Sequence, residues 1–199
     1  MRYSPARITD HDSGFYEREL QYLCRSKYER ALKYRNMSDR MLCILGDYEV
    51  RRLVSSILGI NAEEVSVVPD GRGRPLIAEP ADPGLFCSIS HSGDIACACV
   101  DTCPVGIDIV LVRPYDHDVA EAVCSSEELS YIAENGDEGF YQIWTAKESY
   151  LKCLGTGLTD LDELQSVEAL STPPGFIRET VEPPPGYVIS ICRQVRTIK

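Results

Sequence analysis

One stretch, Phe140 to Leu158, limits the fold more than any other. At about 100° per residue, Phe140, Ile143, Tyr150, Leu151 and Leu154 fall on one arc with Trp144 at its edge, so the stretch reads as an amphipathic helix. Gly155 and Gly157 supply its stop. The i, i+4, i+8 series Trp144, Glu148, Lys152 forms a ridge where the apolar face meets solvent, setting an indole, an acid and a base side by side. A plain surface ion pair between Glu148 and Lys152 would account for that ridge without any function. Lys147 does not suit so simple a helix. It projects into the apolar arc, so either its stem snorkels or its ammonium has a buried partner.

With 199 residues the chain can form one large domain or two small halves sharing a core. Hydrophobic residues make up 44% and charged ones 26%, a balance that needs no disulfides to fold. No apolar run is long enough to span a bilayer and the N-terminal residues do not form a signal peptide, so the expected location is the cytoplasm, with no membrane partner. The nine cysteines follow no framework spacing and read as reduced, buried thiols; Cys97 and Cys99 share one face of a strand, which argues against a zinc site with Cys87 and Cys103. A net charge of −11 argues against nucleic acid, and an anionic ligand would need a local basic pocket.

Along the chain, residues 14–35 read as one helical stretch of packing and solvated surface, and residues 38–58 as a second helix capped by Ser38 or Asp39 and stopped by Gly59. Gly46 interrupts the second helix for close packing, and Arg51 and Arg52 near its end complement the helix dipole. A strand at 64–68 leads into the turn Pro69–Pro75, where Arg72, Arg74 and freed backbone N–H groups suit a phosphate. Leu85–Gly93 and Ile95–Val100 form a hairpin. Ser90 and His91 are adjacent on a strand and point to opposite faces, so they are no hydrolase pair; His91 reads either as a satisfied core histidine or as a phosphate donor. The strand Val105–Val110 carries Asp108 on the face it shares with Gly106 and Val110, and a buried Asp needs a partner. Asp108 and Glu148 together suit a hard cation that takes one or two carboxylates. Ser125 to Glu128 starts a short helix that Asn135-Gly136 ends, and Phe176–Arg178 pairs with a last strand, Tyr187–Cys192.

Gly73-Arg74-Pro75, Ser88-Ile89-Ser90-His91-Ser92, Val105-Gly106-Ile107-Asp108-Ile109 and Trp144-Thr145-Ala146-Lys147-Glu148-Ser149-Tyr150-Leu151-Lys152, in this order and at these separations, resemble the 4'-phosphopantetheinyl transferases. The length resembles the monomeric type that serves synthase carrier domains. The resemblance implies an α+β fold of two similar α/β halves related by a pseudo-twofold, 1–102 on the coenzyme A nucleotide side and 103–199 on the metal and catalytic side. It implies transfer of the phosphopantetheine arm of coenzyme A to a serine of an apo acyl or peptidyl carrier protein, with release of 3',5'-adenosine bisphosphate. By the same resemblance Asp108 and Glu148 hold Mg²⁺, Glu148 takes the serine proton directly or through a water, and Lys152 balances charge on the pyrophosphate and leaving group. Arg51, Arg74 and His91 hold the 3'-phosphate and nucleotide end, Ser90 adds a nucleotide contact, Glu128 matches an acidic position near the site, and Trp144 packs behind the ridge.

Two positions depart from the family pattern. Val110 stands where many members carry a second acid two residues after the strand Asp, leaving a metal position to water, and Arg74 stands where Lys is common. The missing acid leaves one rival, a catalytically impaired coenzyme A-binding or carrier-binding paralogue.

Overall fold

Two long helices, each laid across its own three-stranded antiparallel sheet, organise the chain. The computed structural model describes residues 1–156, 161–179 and 181–195. By its internal contacts the chain divides into two units, Met1–Thr102 and Cys103–Lys199. Among the described residues no helix is long and apolar enough to cross a membrane.

The first unit runs β1 (Arg2–Arg7), α1 (Ser13–Leu20), α2 (Arg25–Lys33), α3 (Met37–Leu58), a hairpin of β2 (Ser66–Pro69) and β3 (Pro75–Glu79), then β4 (Phe86–Ser92) and β5 (Ile95–Asp101). The expected single helix over 14–35 is two, because the turn between α1 and α2 lets Phe15, Tyr16, Leu23 and Ala31 reach one cluster with Leu42 and Leu45 of α3. The N-cap of α3 is Asn36, a few residues before Ser38 and Asp39, where it was expected, and its side chain accepts from Ser38 N. Gly59 ends α3 at φ 70°. A Cβ on Gly46 would lie 2.7 Å from Ile89 Cγ2, so the glycine does permit the helix to sit close on the sheet. β3 was not expected, because the turn chemistry of 69–75 hid the short strand behind it.

In the sheet β1-β5-β4, Ser88 pairs with Cys99 and Ser90 with Cys97, while Cys87 pairs with Val100. Cys87 therefore lies on the α3 side with Ala98 and Val100, and Cys97 and Cys99 lie on the other, which separates the thiols a zinc site would need.

The second unit runs β6 (Val105–Leu111), α4 (His117–Val123), α5 (Ser126–Leu154), α6 (Leu161–Ser166), β7 (Phe176–Glu179) and β8 (Tyr187–Gln194), with sheet order β6-β8-β7. Each sheet thus places its first strand at one edge, its penultimate strand at the other and its last strand in the middle. The two units share this topology although no sequence repeat is visible. Gly136 breaks α5 with φ 62° and ψ −147°, as the Asn135-Gly136 signal implies, and Gly155 ends it at φ 77°. Gly157 and Leu158 lie outside the described residues. Leu154, assigned to the apolar arc, is 44% exposed because the last turn of α5 overruns its cluster.

Lys147 finds the buried partner its position requires. Its ammonium meets Glu128 Oε2 at 2.7 Å and donates to the Val123 and Leu164 carbonyls, and both charged side chains are 0% exposed. Glu128 is saturated in turn: it accepts from Ser125 N in a capping box and from Ala169 N. Its oxygens are therefore committed to the core of this unit. It is the anion of a buried pair that ties α4, both segments of α5, and the chain after α6 together.

Removing one partner of such a pair strands the other charge. Lys147→Ala should cost about 3–5 kcal/mol in urea unfolding. An additional methyl at Gly106, which would lie 2.0 Å from the Ser149 carbonyl oxygen, should cost about 3 kcal/mol, read as a lower melting temperature of Gly106→Ala.

Candidate active site

Asp108 and Glu148 meet because β6 and α5 pack backbone to backbone. At Gly106 an ideal Cβ would stand 2.0 Å from the Ser149 oxygen, 2.4 Å from Cys153 N and 2.9 Å from Lys152 Cβ, so only glycine admits the helix here. Two residues on, Asp108 points to the same side and accepts from Lys152 Nζ at 2.6 Å. The neighbouring strand holds the same register: Ser190 lies opposite Asp108, and its hydroxyl bonds Thr145 Oγ1 at 2.8 Å.

Glu148 is not half of a surface pair. It is 3% exposed, its Oε2 is buried without a hydrogen-bond partner, and the ammonium of Lys152 goes to Asp108. Burial, reinforced by the negative charge of Asp108 and opposed by Lys152, pushes its carboxyl up to about 7. Trp144 is partly buried, its ring centroid 5.9 Å from that of Phe140, and packs the helix as expected.

A buried carboxylate oxygen with no donor, beside a second carboxylate, is an arrangement that a cation satisfies. Among the described residues no three His, Cys, Asp or Glu side chains form a metal cage, so the protein side offers these two carboxylates. That suits Mg²⁺, which keeps water and phosphate oxygens in its shell. The residues present fit the group.

The residues expected at the nucleotide end lie in the first unit, and the fold distributes them unevenly. His91 is exposed and lines a cavity with Lys27, Arg30, Cys43, Gly73 and Ile89. Lys27 and Arg30 were missed. They lay in a stretch read as surface, and their i, i+3 spacing on α2 was the available signal. Ser90 is buried on the opposite face of β4 from His91. Arg74 lines a neighbouring cavity with Leu76, Leu85 and Phe86, its Nε buried and without a hydrogen-bond partner.

The N–H groups of Arg72 and Arg74, expected to be open to phosphate, both donate to Asp70 Oδ1, which holds that carboxyl below its usual range. Arg51 is wholly buried: its Nε donates to Asp47 Oδ2 at 2.9 Å and an Nη to Glu19 Oε2 at 2.6 Å.

The profile of the 4'-phosphopantetheinyl transferase superfamily matches residues 104–192, the segment that holds Asp108, Glu148 and Lys152. The chain is 30% identical over 191 residues to the 4'-phosphopantetheinyl transferase ffp of Bacillus subtilis, covering 88% of this chain and 84% of that protein. It is 29% identical over 190 residues to the 4'-phosphopantetheinyl transferase Sfp of Bacillus subtilis (strain 168), with the same coverage. Against the 4'-phosphopantetheinyl transferase psf-1 of Bacillus pumilus it is 31% identical over 137 residues, 67% of this chain and 58% of that protein. With this similarity covering most of the chain, and the profile covering its carboxylate pair, the protein belongs to the 4'-phosphopantetheinyl transferase superfamily.

Proposed function

We propose that this member of the superfamily moves the 4'-phosphopantetheine arm of coenzyme A to a serine of an apo acyl or peptidyl carrier protein, acting as a monomer in the cytoplasm. The observation that carries the reading is the Asp108–Glu148 pair, with its unpartnered buried oxygen, on a helix and strand locked at Gly106. When bound there, Mg²⁺ supplies positive charge against the pyrophosphate oxygens. Glu148 accepts the proton as the serine oxygen forms its bond to the phosphorus of the pantetheine-side phosphate. The phosphoanhydride P–O bond breaks, and 3',5'-adenosine bisphosphate leaves.

Lys152 neutralises Asp108 with one donor and turns its remaining donors to the phosphate of a bound substrate. In the first unit, Lys27, Arg30 and His91 give an acidic protein the local basic pocket that an anionic nucleotide end requires, and we assign the 3'-phosphate to it. Arg74 serves the nucleotide from the adjoining cavity.

Carrier mass, followed on a panel of apo carriers with coenzyme A and Mg²⁺, tests the reading through addition of the phosphopantetheine group. A shift that requires the metal supports it, whereas coenzyme A binding without transfer on any carrier favours the impaired paralogue to which Val110 points. Asp108→Asn and Glu148→Gln should each lower kcat at least about a hundredfold with the melting temperature kept. Near-normal turnover in either would remove the assigned metal role.

The raised carboxyl of Glu148 has a defined sign. Between its ordinary value of 4.5 and about 7 the folded protein binds more protons at this residue than the unfolded chain, so this contribution to stability is lost as pH rises through that window. A cation takes the ionised form. At pH 6, Mg²⁺ added in weak buffer should release protons from the wild type and none from Glu148→Gln.

A further inference from the structure

Beneath the basic pocket lies a chain of four charged side chains. Lys27 Nζ donates to Asp47 Oδ1 at 2.6 Å, and the second oxygen of Asp47 accepts from Arg51, whose far end reaches Glu19. Lys27 is 7% exposed and Asp47 1%. An ammonium has three donors, so Lys27 keeps donors for a ligand in the cavity while Asp47 fixes its direction. Alone, that carboxylate would cancel the lysine's charge and repel a phosphate. Arg51 takes the second oxygen of that carboxylate, so Asp47 is held on both sides and its first oxygen stays aimed at the ammonium.

Arg51 itself is poorly placed to touch the nucleotide. Its guanidinium stands 5.3 Å and 5.7 Å from the ring centroids of Tyr22 and Tyr48, and the cavity it borders also carries Glu19 and Glu63. Such a lining repels an anion.

We propose that Asp47 is a positioning residue for coenzyme A: it holds the Lys27 ammonium in the wall of the anion pocket, and Arg51 acts through Asp47 by fixing the carboxylate's second oxygen. The proposal rests on the reading that the pocket of Lys27, Arg30 and His91 takes the 3'-phosphate, and it replaces the direct phosphate contact that the family resemblance implied for Arg51.

The test compares coenzyme A with dephospho-coenzyme A, which lacks the 3'-phosphate, as phosphopantetheine donors for one carrier. Wild type should show a KM for coenzyme A at least about tenfold lower than for the dephospho form. Lys27→Met should erase most of that ratio. Asp47→Asn should raise KM for coenzyme A about tenfold, with kcat, KM for the dephospho form and KM for the carrier little changed, a split that general loosening of the fold would not give. Adding Asp47→Asn to Lys27→Met should cost nothing further, because the aspartate acts through the lysine. Asp47→Glu keeps the charge while displacing the ammonium, and carries the same test if the asparagine variant does not fold.

If Lys27→Met loses the ratio and neither Asp47 variant does, the positioning role is overturned and the pocket stands. If wild type shows no ratio, or Lys27→Met retains it, the assignment of the pocket fails and the role of Asp47 with it.

Discussion

The approach of α5 to β6 at Gly106 is the contact on which the candidate site depends. Because the strand has no side chain at this position, the Ser149 carbonyl and the Cys153 amide rest directly on it. Glu148 and Lys152, one turn apart on the helix, are thereby carried to Asp108 two residues along the strand. Any larger residue would lift the helix and separate the carboxylates. The electrostatic strain on Glu148 follows from the same approach, since burial and a neighbouring anion both disfavour its charge. The packing of α5 on β6 holds the two carboxylates in this unfavourable arrangement.

A second device appears in both units. Lys147 and Arg51 each stand eight residues before the left-handed glycine that ends its helix, Gly155 and Gly59, and both are wholly buried. Each is neutralised by carboxylates, Glu128 for Lys147, and Asp47 with Glu19 for Arg51. The residue after each cation faces the first strand of its own sheet. In the second unit that residue is Glu148, beside Asp108; in the first it is Arg52, whose Nη donates to Ser4 on β1. One architecture therefore carries two carboxylates in one unit and a cation with a hydroxyl in the other. Only the first arrangement can hold a metal.

Charge is arranged locally against the overall balance. The chain carries −11, yet its first unit gathers Lys27, Arg30 and His91 around one cavity and buries the acids that accompany them. The excess of acidic residues leaves long-range attraction to anions weak, so a phosphate bound at the proposed pocket would rest on short, directed contacts.

Asp108 and the need for a buried partner at Lys147 were legible from periodicity, because a carboxylate in an apolar strand and a lysine in an apolar arc are local contradictions; Glu148 and Lys152 fell on a ridge that a plain surface pair would explain, and only the family resemblance singled them out. Glycine stops, the hairpin of β4 and β5, and the opposite facing of Ser90 and His91 were legible for the same reason: they depend on neighbours in sequence. Tertiary structure decided the rest. The partner of Lys147 lies 19 residues away at Glu128, and the partner of Lys152 is Asp108 on a strand, not Glu148 on its own helix. Lys27 lies in a polar helix whose pattern resembles solvated surface, and only the packing of α2 against α3 turns its ammonium to Asp47. The sequence by itself determined which residue types could do chemistry and on which face each one sits. Which charges neutralise one another, and which buried oxygen is left without a donor, depends on contacts between distant elements that no local period records.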